Sequence, residues 1–108
     1  LKVSQGGSGV CSTRLATGVG IPTFQAILDS AEILKEYRIG LIGDGGIRTS
    51  GDMMKAFGAG ATGVMCGGIF AAHEECDERY RHETDAGVFY EYFGMASKRA
   101  KQDHFGHV

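Results

Sequence analysis

The stretch Ile39-Gly40-Leu41-Ile42-Gly43-Asp44-Gly45-Gly46 decides how this chain folds. Its first half, 39–42, is a short apolar run, which reads as a buried strand. Its second half, Gly43-Asp44-Gly45-Gly46, is made of residues that tolerate tight turns and reads as the loop that follows. Upstream, Phe24, Ile27, Leu28, Ala31 and Leu34 recur at i, i+3, i+4, i+7 and i+10, one face of a helix, and Pro22-Thr23 suits its start. Before that helix, Leu1-Lys2-Val3 reads as the end of another strand. Downstream, Ser50 is expected to cap a second helix, with Asp52 in its first turn favouring the dipole. Met53, Ala56 and Phe57 give that helix an apolar face, and Gly58 and Gly60 end it. A further strand is expected at 62–66, with Gly67-Gly68 as its loop and a third short helix beginning at 69–73.

The order is β-α-β-α-β, the pattern of a parallel sheet with covering helices. The strand spacing is short for a doubly wound fold and fits a compact (β/α) barrel. Three parallel strands cannot close a barrel, which needs about 250 residues. The chain is therefore expected to be part of a larger α/β domain. Beyond Glu74 the pattern changes. Residues 80–83 and 88–92 flank Thr84-Asp85-Ala86-Gly87 and read as a β-hairpin. Residues 96–102 are expected to form a helical turn or two, and 103–108 carry no clear signal.

Bulk properties exclude several classes of function. With 108 residues, the chain suffices for one modest core. Hydrophobic content of 43% and charged content of 22% are ordinary for a soluble domain. A net charge of −2 points away from nucleic acid and anionic membranes as partners. No apolar run approaches the roughly 20 residues of a membrane helix. The opening residues, which start on Leu1, do not have a signal-peptide pattern. Three cysteines cannot all pair within the chain, and Cys11, Cys66 and Cys76 lack zinc-site spacing. Free thiols suit a reducing compartment, so a cytoplasmic location is expected. The 18 glycines cluster at the ends of apolar runs, where tight functional loops belong.

The chemistry is expected in Gly6-Gly7-Ser8-Gly9-Val10-Cys11-Ser12-Thr13-Arg14. Glycines allow positive φ and close approach of backbone to a ligand. A thiol in such a loop, near the cation Arg14, can serve as a thiolate nucleophile. Gly45-Gly46 and Gly67-Gly68 follow consecutive strands, as do the last two loops of many (β/α) barrels, where backbone N–H groups bind phosphate. Asp44, just before the first pair, is placed to accept hydrogen bonds from ribose hydroxyls. A bland reading attaches to each feature: a Gly-Gly pair is also simply a tight turn. The order is more specific, with a cysteine loop, then Asp-Gly-Gly, then Gly-Gly, each at a strand's C-terminal end.

That ordered set resembles the IMP dehydrogenase and GMP reductase family, from Lys2 to about Ser97. Val10-Cys11-Ser12-Thr13-Arg14 is similar to the family's Val/Ile-Cys-Thr-Thr-Arg. Thr17-Gly18-Val19-Gly20-Ile21-Pro22 matches the stretch that follows, and Asp44-Gly45-Gly46-Ile47-Arg48 matches the ribose and phosphate loop. Tyr92-Phe93-Gly94-Met95-Ala96-Ser97 resembles Tyr-Arg-Gly-Met-Gly-Ser. The resemblance implies that residues 1–108 are the C-terminal portion, about three β/α units, of a catalytic (β/α)8 TIM barrel with an inserted β-hairpin. It implies a homotetramer, with the remainder of the barrel and a purine nucleotide (GMP or IMP) as partners.

The resemblance also implies residue roles. Cys11 attacks purine C2, and Thr13 helps the departing ammonia together with a glutamate beyond Val108. Asp44 holds the ribose. Gly46, Gly67, Gly68 and Tyr92 surround the phosphate, Met95 and Ala96 line the base, and Gly45 and Gly94 belong to the same substrate-binding segments. Backbone carbonyls of Gly6, Ser8 and Cys11 are expected to hold a monovalent cation such as potassium. Gly67-Gly68 and His73 favour the reductase, with NADPH as hydride donor, over IMP dehydrogenase, with NAD. A chain that binds nucleotide without catalysis is the remaining alternative. The sequence departs from the family at Gly6-Gly7-Ser8-Gly9, where Gly-Pro-Gly-Ser is usual. Ser8 would then have to supply the phosphate-binding hydroxyl that Gly9 lacks.

Other residues read as structural. Cys66 and the Met53-Met54 pair are expected in the core, and Cys76 is expected at the surface. Lys98, Arg99 and Lys101 form a small solvated basic cluster. His104 and His107 lack a third ligand for a metal.

Overall fold

The strand expected at 39–42 forms three residues later, as β2 (Ile42–Asp44), in the computed structural model of the chain, and of its residues only Gly43 is buried. The reason lies at Thr62. Its hydroxyl accepts from the Leu41 N–H at 2.9 Å and donates to the Leu41 carbonyl at 3.1 Å. Its amide also reaches that carbonyl, at 2.7 Å. The backbone of Leu41 is thus satisfied by a side chain and a turn, and the ladder starts only at Ile42. The structure describes residues 1–4 and 6–106, in two units, Leu1–Ile69 and Phe70–Val108.

The first unit holds a three-stranded parallel sheet of order β1-β2-β3, with β1 at Lys2–Val3 and β3 at Gly63–Met65. Lys2 pairs with Ile42, and Gly43 pairs with Val3 on one side and Val64 on the other. Strand alternation sends Val3, Gly43 and Val64 to one face. Helix α2 (Thr23–Leu34) packs there, and α3 (Ser50–Gly58) joins it in the same core. Gly43 must lack a side chain: a Cβ there would lie 2.5 Å from Ile27 Cδ1. Ile27 fills that space, is 1% exposed, and centres a core with Leu41, Ile47, Ala56, Ala59 and Ala61. Burying an isoleucine of this kind stabilises by about 1.5–3 kcal/mol. The opposite sheet face carries Ile42 and Met65, both substantially exposed. Parallel sheets are normally covered on both faces.

Three expectations on the helices need correction. The cap of α3 is Thr49, not Ser50. Thr49 is extended, its hydroxyl accepts from the Asp52 N–H at 3.2 Å, and Asp52 Oδ2 accepts from the Thr49 N–H at 3.0 Å. This reciprocal box needs an acid three residues after the cap, which only Thr49 has. Thr49→Ala is expected to lower the protein's unfolding free energy by about 1 kcal/mol, read from denaturant melts. Next, Phe57 and Met54 are exposed, so the apolar face of α3 rests on Met53 and Ala56. Last, residues 69–73 form turns rather than a helix. The Phe70 carbonyl accepts from the His73 N–H at 3.1 Å and from the Cys76 thiol at 2.9 Å, in place of an i→i+4 bond. A short helix without a sequence signal, α1 (Thr13–Thr17), stands where only loop was expected. Its Leu15 is exposed, so it has no apolar periodicity to announce it.

The second unit contains a 3-10 turn (Glu78–Tyr80) and the expected hairpin, β4 (Arg81–Thr84) with β5 (Gly87–Tyr90). It ends in helix α4 (Lys98–Phe105), which runs further than expected. Ser97 caps its start by accepting from the Ala100 N–H at 3.1 Å, and Gly106, at φ +78°, closes its end. Arg99 anchors the helix by reaching Glu91 at 3.6 Å and Asp103 at 3.3 Å. The Tyr80 hydroxyl donates to Asp103 at 3.2 Å, and its ring meets Phe93 edge-on at 5.1 Å. His104 lies in α4, and His107 lies outside the described residues.

Candidate functional site

Cys11 stands on a tight turn, its N–H donating to the Ser8 carbonyl at 3.1 Å. It immediately precedes Ser12, the cap of α1. The thiol is partly exposed. The Thr13 hydroxyl and then the Thr13 backbone N–H stabilise its thiolate and lower its pKa from the ordinary thiol value. Slight burial and the negative charge of Asp44 oppose that shift without reversing it. A thiol with a lowered pKa presents more nucleophile at neutral pH. Thr13→Ala removes the hydroxyl, the largest favourable contribution, so the pKa rises. Alkylation of Cys11 by iodoacetamide at pH 7 is then expected to slow by about threefold, followed by peptide mass spectrometry.

The cysteine loop and the Asp44-Gly45-Gly46 loop meet backbone to backbone. Gly45 has φ +94°, and a Cβ on it would lie 2.9 Å from the Ser8 nitrogen and 3.0 Å from the Gly7 carbonyl carbon. A Cβ on Gly46, at φ +77°, would lie 3.1 Å from the Gly7 oxygen. A Cβ on Gly7 would run into the Thr23 hydroxyl oxygen, which is buried without a partner among the described residues, with the Asp44 oxygen and Gly45 carbonyl carbon each 3.6 Å away. The glycines expected to cradle phosphate thus let two loops touch. A cavity of about 310 Å³ lies beside this contact, lined by Arg14, Thr23, Gly45, Gly46, Ile47 and Lys55 among others.

Asp44 ends β2 and pairs with Lys2 of β1, Nζ to Oδ2 at 2.5 Å. Sequence reasoning placed Asp44 and missed Lys2. The signal was present in the parallel register, since Lys2 and Asp44 fall on the same face of neighbouring strands. Gly67 and Gly68 follow β3, whose Met65 is the register partner of Asp44. Ser8, Cys11, Thr13, Asp44, Gly45, Gly46, Gly67 and Gly68 therefore all belong to the first unit.

Tyr92, Gly94, Met95 and Ala96 belong to the second unit. There the Gly94 carbonyl accepts from the Ser97 N–H at 2.9 Å, and the Tyr92 and Met95 side chains are exposed. Of the carbonyls expected to hold a cation, those of Ser8 and Cys11 stand at the two ends of one turn, and Gly6 lies two residues before it. The Ser8 carbonyl keeps one lone pair beyond its bond to the Cys11 N–H. A hard monovalent cation suits such neutral oxygen donors. Among the described residues no cluster of three His, Cys, Asp or Glu could hold a metal ion, and no helix is long and apolar enough to cross a membrane.

A family model described as the IMP dehydrogenase / GMP reductase domain matches residues 1–107. The chain is 43% identical over all 108 residues to the GMP reductase of Aeromonas hydrophila subsp. hydrophila. It is 42% identical to that of Tolumonas auensis and 43% identical to that of Aliivibrio fischeri, again over its whole length. In each case it spans 31% of the relative's own length.

Proposed function

This chain belongs to the IMP dehydrogenase / GMP reductase family, and from that premise we propose that it carries the nucleophile and ribose loop of a GMP reductase. The observation that carries the reading is the joining of two loops. Cys11, with a thiol acidified by Thr13, sits on a turn whose Gly7-Ser8 backbone rests on Gly45, beside Asp44. Its support among relatives is their name, GMP reductase, at 42–43% identity.

The Cys11 thiolate adds to C2 of GMP, and the 2-amino group leaves as ammonia, which takes up protons to become ammonium. Thr13, which touches the thiolate, is the near group for that departure. The sulfur is then joined to C2 in a thioimidate. Bound NADPH would supply the hydride to C2, after which the C–S bond breaks with its electron pair returning to sulfur, and IMP and NADP leave. Asp44 would hold the ribose hydroxyls, while backbone N–H groups of Gly46, Gly67 and Gly68, with the Ser8 hydroxyl and Tyr92, would hold the phosphate. Gly94, Met95 and Ala96 would meet the base. Carbonyls of Gly6, Ser8 and Cys11 would hold a monovalent cation such as potassium, which would fix the loop. The same reading makes the chain part of a (β/α)8 barrel in a cytoplasmic homotetramer, the rest of the barrel covering the open sheet face.

The test mixes the intact protein with GMP and NADPH, or with IMP and NAD, and follows nicotinamide absorbance. Loss of NADPH absorbance that requires Cys11 is expected in the first mixture. Activity only in the second would make the protein an IMP dehydrogenase. Nucleotide binding without turnover in either would make it a non-catalytic nucleotide binder.

A further inference from the structure

Lys2 is a charged residue on the open face of the sheet, and the reaction above gives it no part. It lies in β1 level with Ile42, so Asp44 is two residues further along the neighbouring strand. The diagonal between them is roughly 8 Å from strand spacing and rise. A lysine stem spans that gap with an aspartate at the far end. The ammonium meets Asp44 Oδ2 at 2.5 Å and also lies 3.8 Å from Met65 Sδ, so it bridges the ends of β2 and β3. Asp44 Oδ1 has no hydrogen-bond partner among the described residues. A carboxylate held by one oxygen keeps the other free to accept from a hydroxyl.

We propose that Lys2 is a positioning residue that clamps Oδ2 of Asp44 and so presents Oδ1 to one hydroxyl group of a nucleotide ribose. The proposal rests on the reading of Asp44 as the ribose-binding residue. Lys2 itself does not touch the nucleotide, and its effect passes entirely through the carboxylate. Arginine, which has the reach and the charge, can replace it, whereas methionine, which keeps the stem and loses the charge, cannot.

The experiment measures equilibrium binding of GMP, 2′-deoxy-GMP and 3′-deoxy-GMP to the intact protein by calorimetry. Lys2→Met is expected to weaken GMP by about tenfold, and the deoxy nucleotide missing the hydroxyl that Asp44 holds by about twofold or less. Lys2→Arg should restore the discrimination. In an Asp44→Asn background, Lys2→Met should add less than about twofold, because the two residues act as one unit. Should the methionine variant fail to fold by circular dichroism, Lys2→Gln takes its place. Equal weakening of all three nucleotides, or an undiminished effect in the Asp44→Asn background, would show that Lys2 contacts the nucleotide directly and overturns the proposal. Unchanged binding in Lys2→Met overturns it as well. These outcomes need no turnover, so they separate failure of the clamp from failure of the reductase reading. GMP binding with no reduction defeats the latter alone, and absence of any nucleotide binding defeats both.

Discussion

Cys11→Ala is expected to lower GMP-dependent NADPH oxidation by about 10³-fold or more while leaving nucleotide affinity within about threefold. The argument begins with the thiol's surroundings. Thr13 stabilises the thiolate through hydroxyl and amide, so more of the nucleophile is present at neutral pH than for an ordinary thiol. Alanine has no electron pair to offer C2. The other two thiols are already engaged, Cys66 packing against the core of the first unit and Cys76 donating to the Phe70 carbonyl. Binding should survive because the groups assigned to ribose and phosphate are Asp44 and loop backbone, which the substitution leaves in place. Stability should survive too. Cys11 is partly exposed and outside the core, where substitutions usually fall within about 0.5 kcal/mol of neutral. Turnover and calorimetric titration of one preparation, with a thermal melt, measure all three. Retained turnover would place the nucleophile elsewhere.

The parts of the fold written in residue pattern were legible in the sequence. The 3.6-residue repeat from Phe24 to Leu34 located α2, and the apolar runs located the three strands in their order. The turn at Asp85-Ala86 located the hairpin. What was not legible depended on side chains acting at a distance. Thr62 satisfies Leu41 from 21 residues away and delays β2, which no local propensity reports. Thr49 rather than Ser50 caps α3, a choice readable only by counting three residues back from Asp52. α1 lacks an apolar face and could not be found by periodicity. At the site the same division holds. Cys11, Asp44 and the glycine pairs were visible as types in an order. The ion pair from Lys2 required the strand register, and the contact of Gly45 with Gly7-Ser8 required the fold itself. The glycines were visible, but the sequence offered ligand approach as their purpose and gave no sign of loop-on-loop packing.

That packing yields the other large expected effect, from Gly45→Ala. Two penalties add at this position. The backbone is at φ +94°, a region that costs a residue with a Cβ about 1–3 kcal/mol. The new methyl would also lie 2.9 Å from the Ser8 nitrogen and 3.0 Å from the Gly7 carbonyl carbon, both backbone atoms that cannot rotate aside. Gly7 has little room to adjust, because it is already packed against both Thr23 and the Asp44-Gly45 backbone. The combined loss is expected at about 2–4 kcal/mol in denaturant melts. Whatever movement relieves the clash must shift the Ser8–Cys11 turn relative to Asp44, and a displacement near 1 Å costs about 10²-fold in turnover. Gly58→Ala is the control. Its Cβ would meet nothing within 4 Å, it ends α3 in ordinary helical backbone, and alanine there should be neutral or stabilising by up to about 1 kcal/mol. If Gly45→Ala left both turnover and stability at the level of that control, the two loops would not be held by their backbones. Cys11 and Asp44 would then be positioned independently of each other.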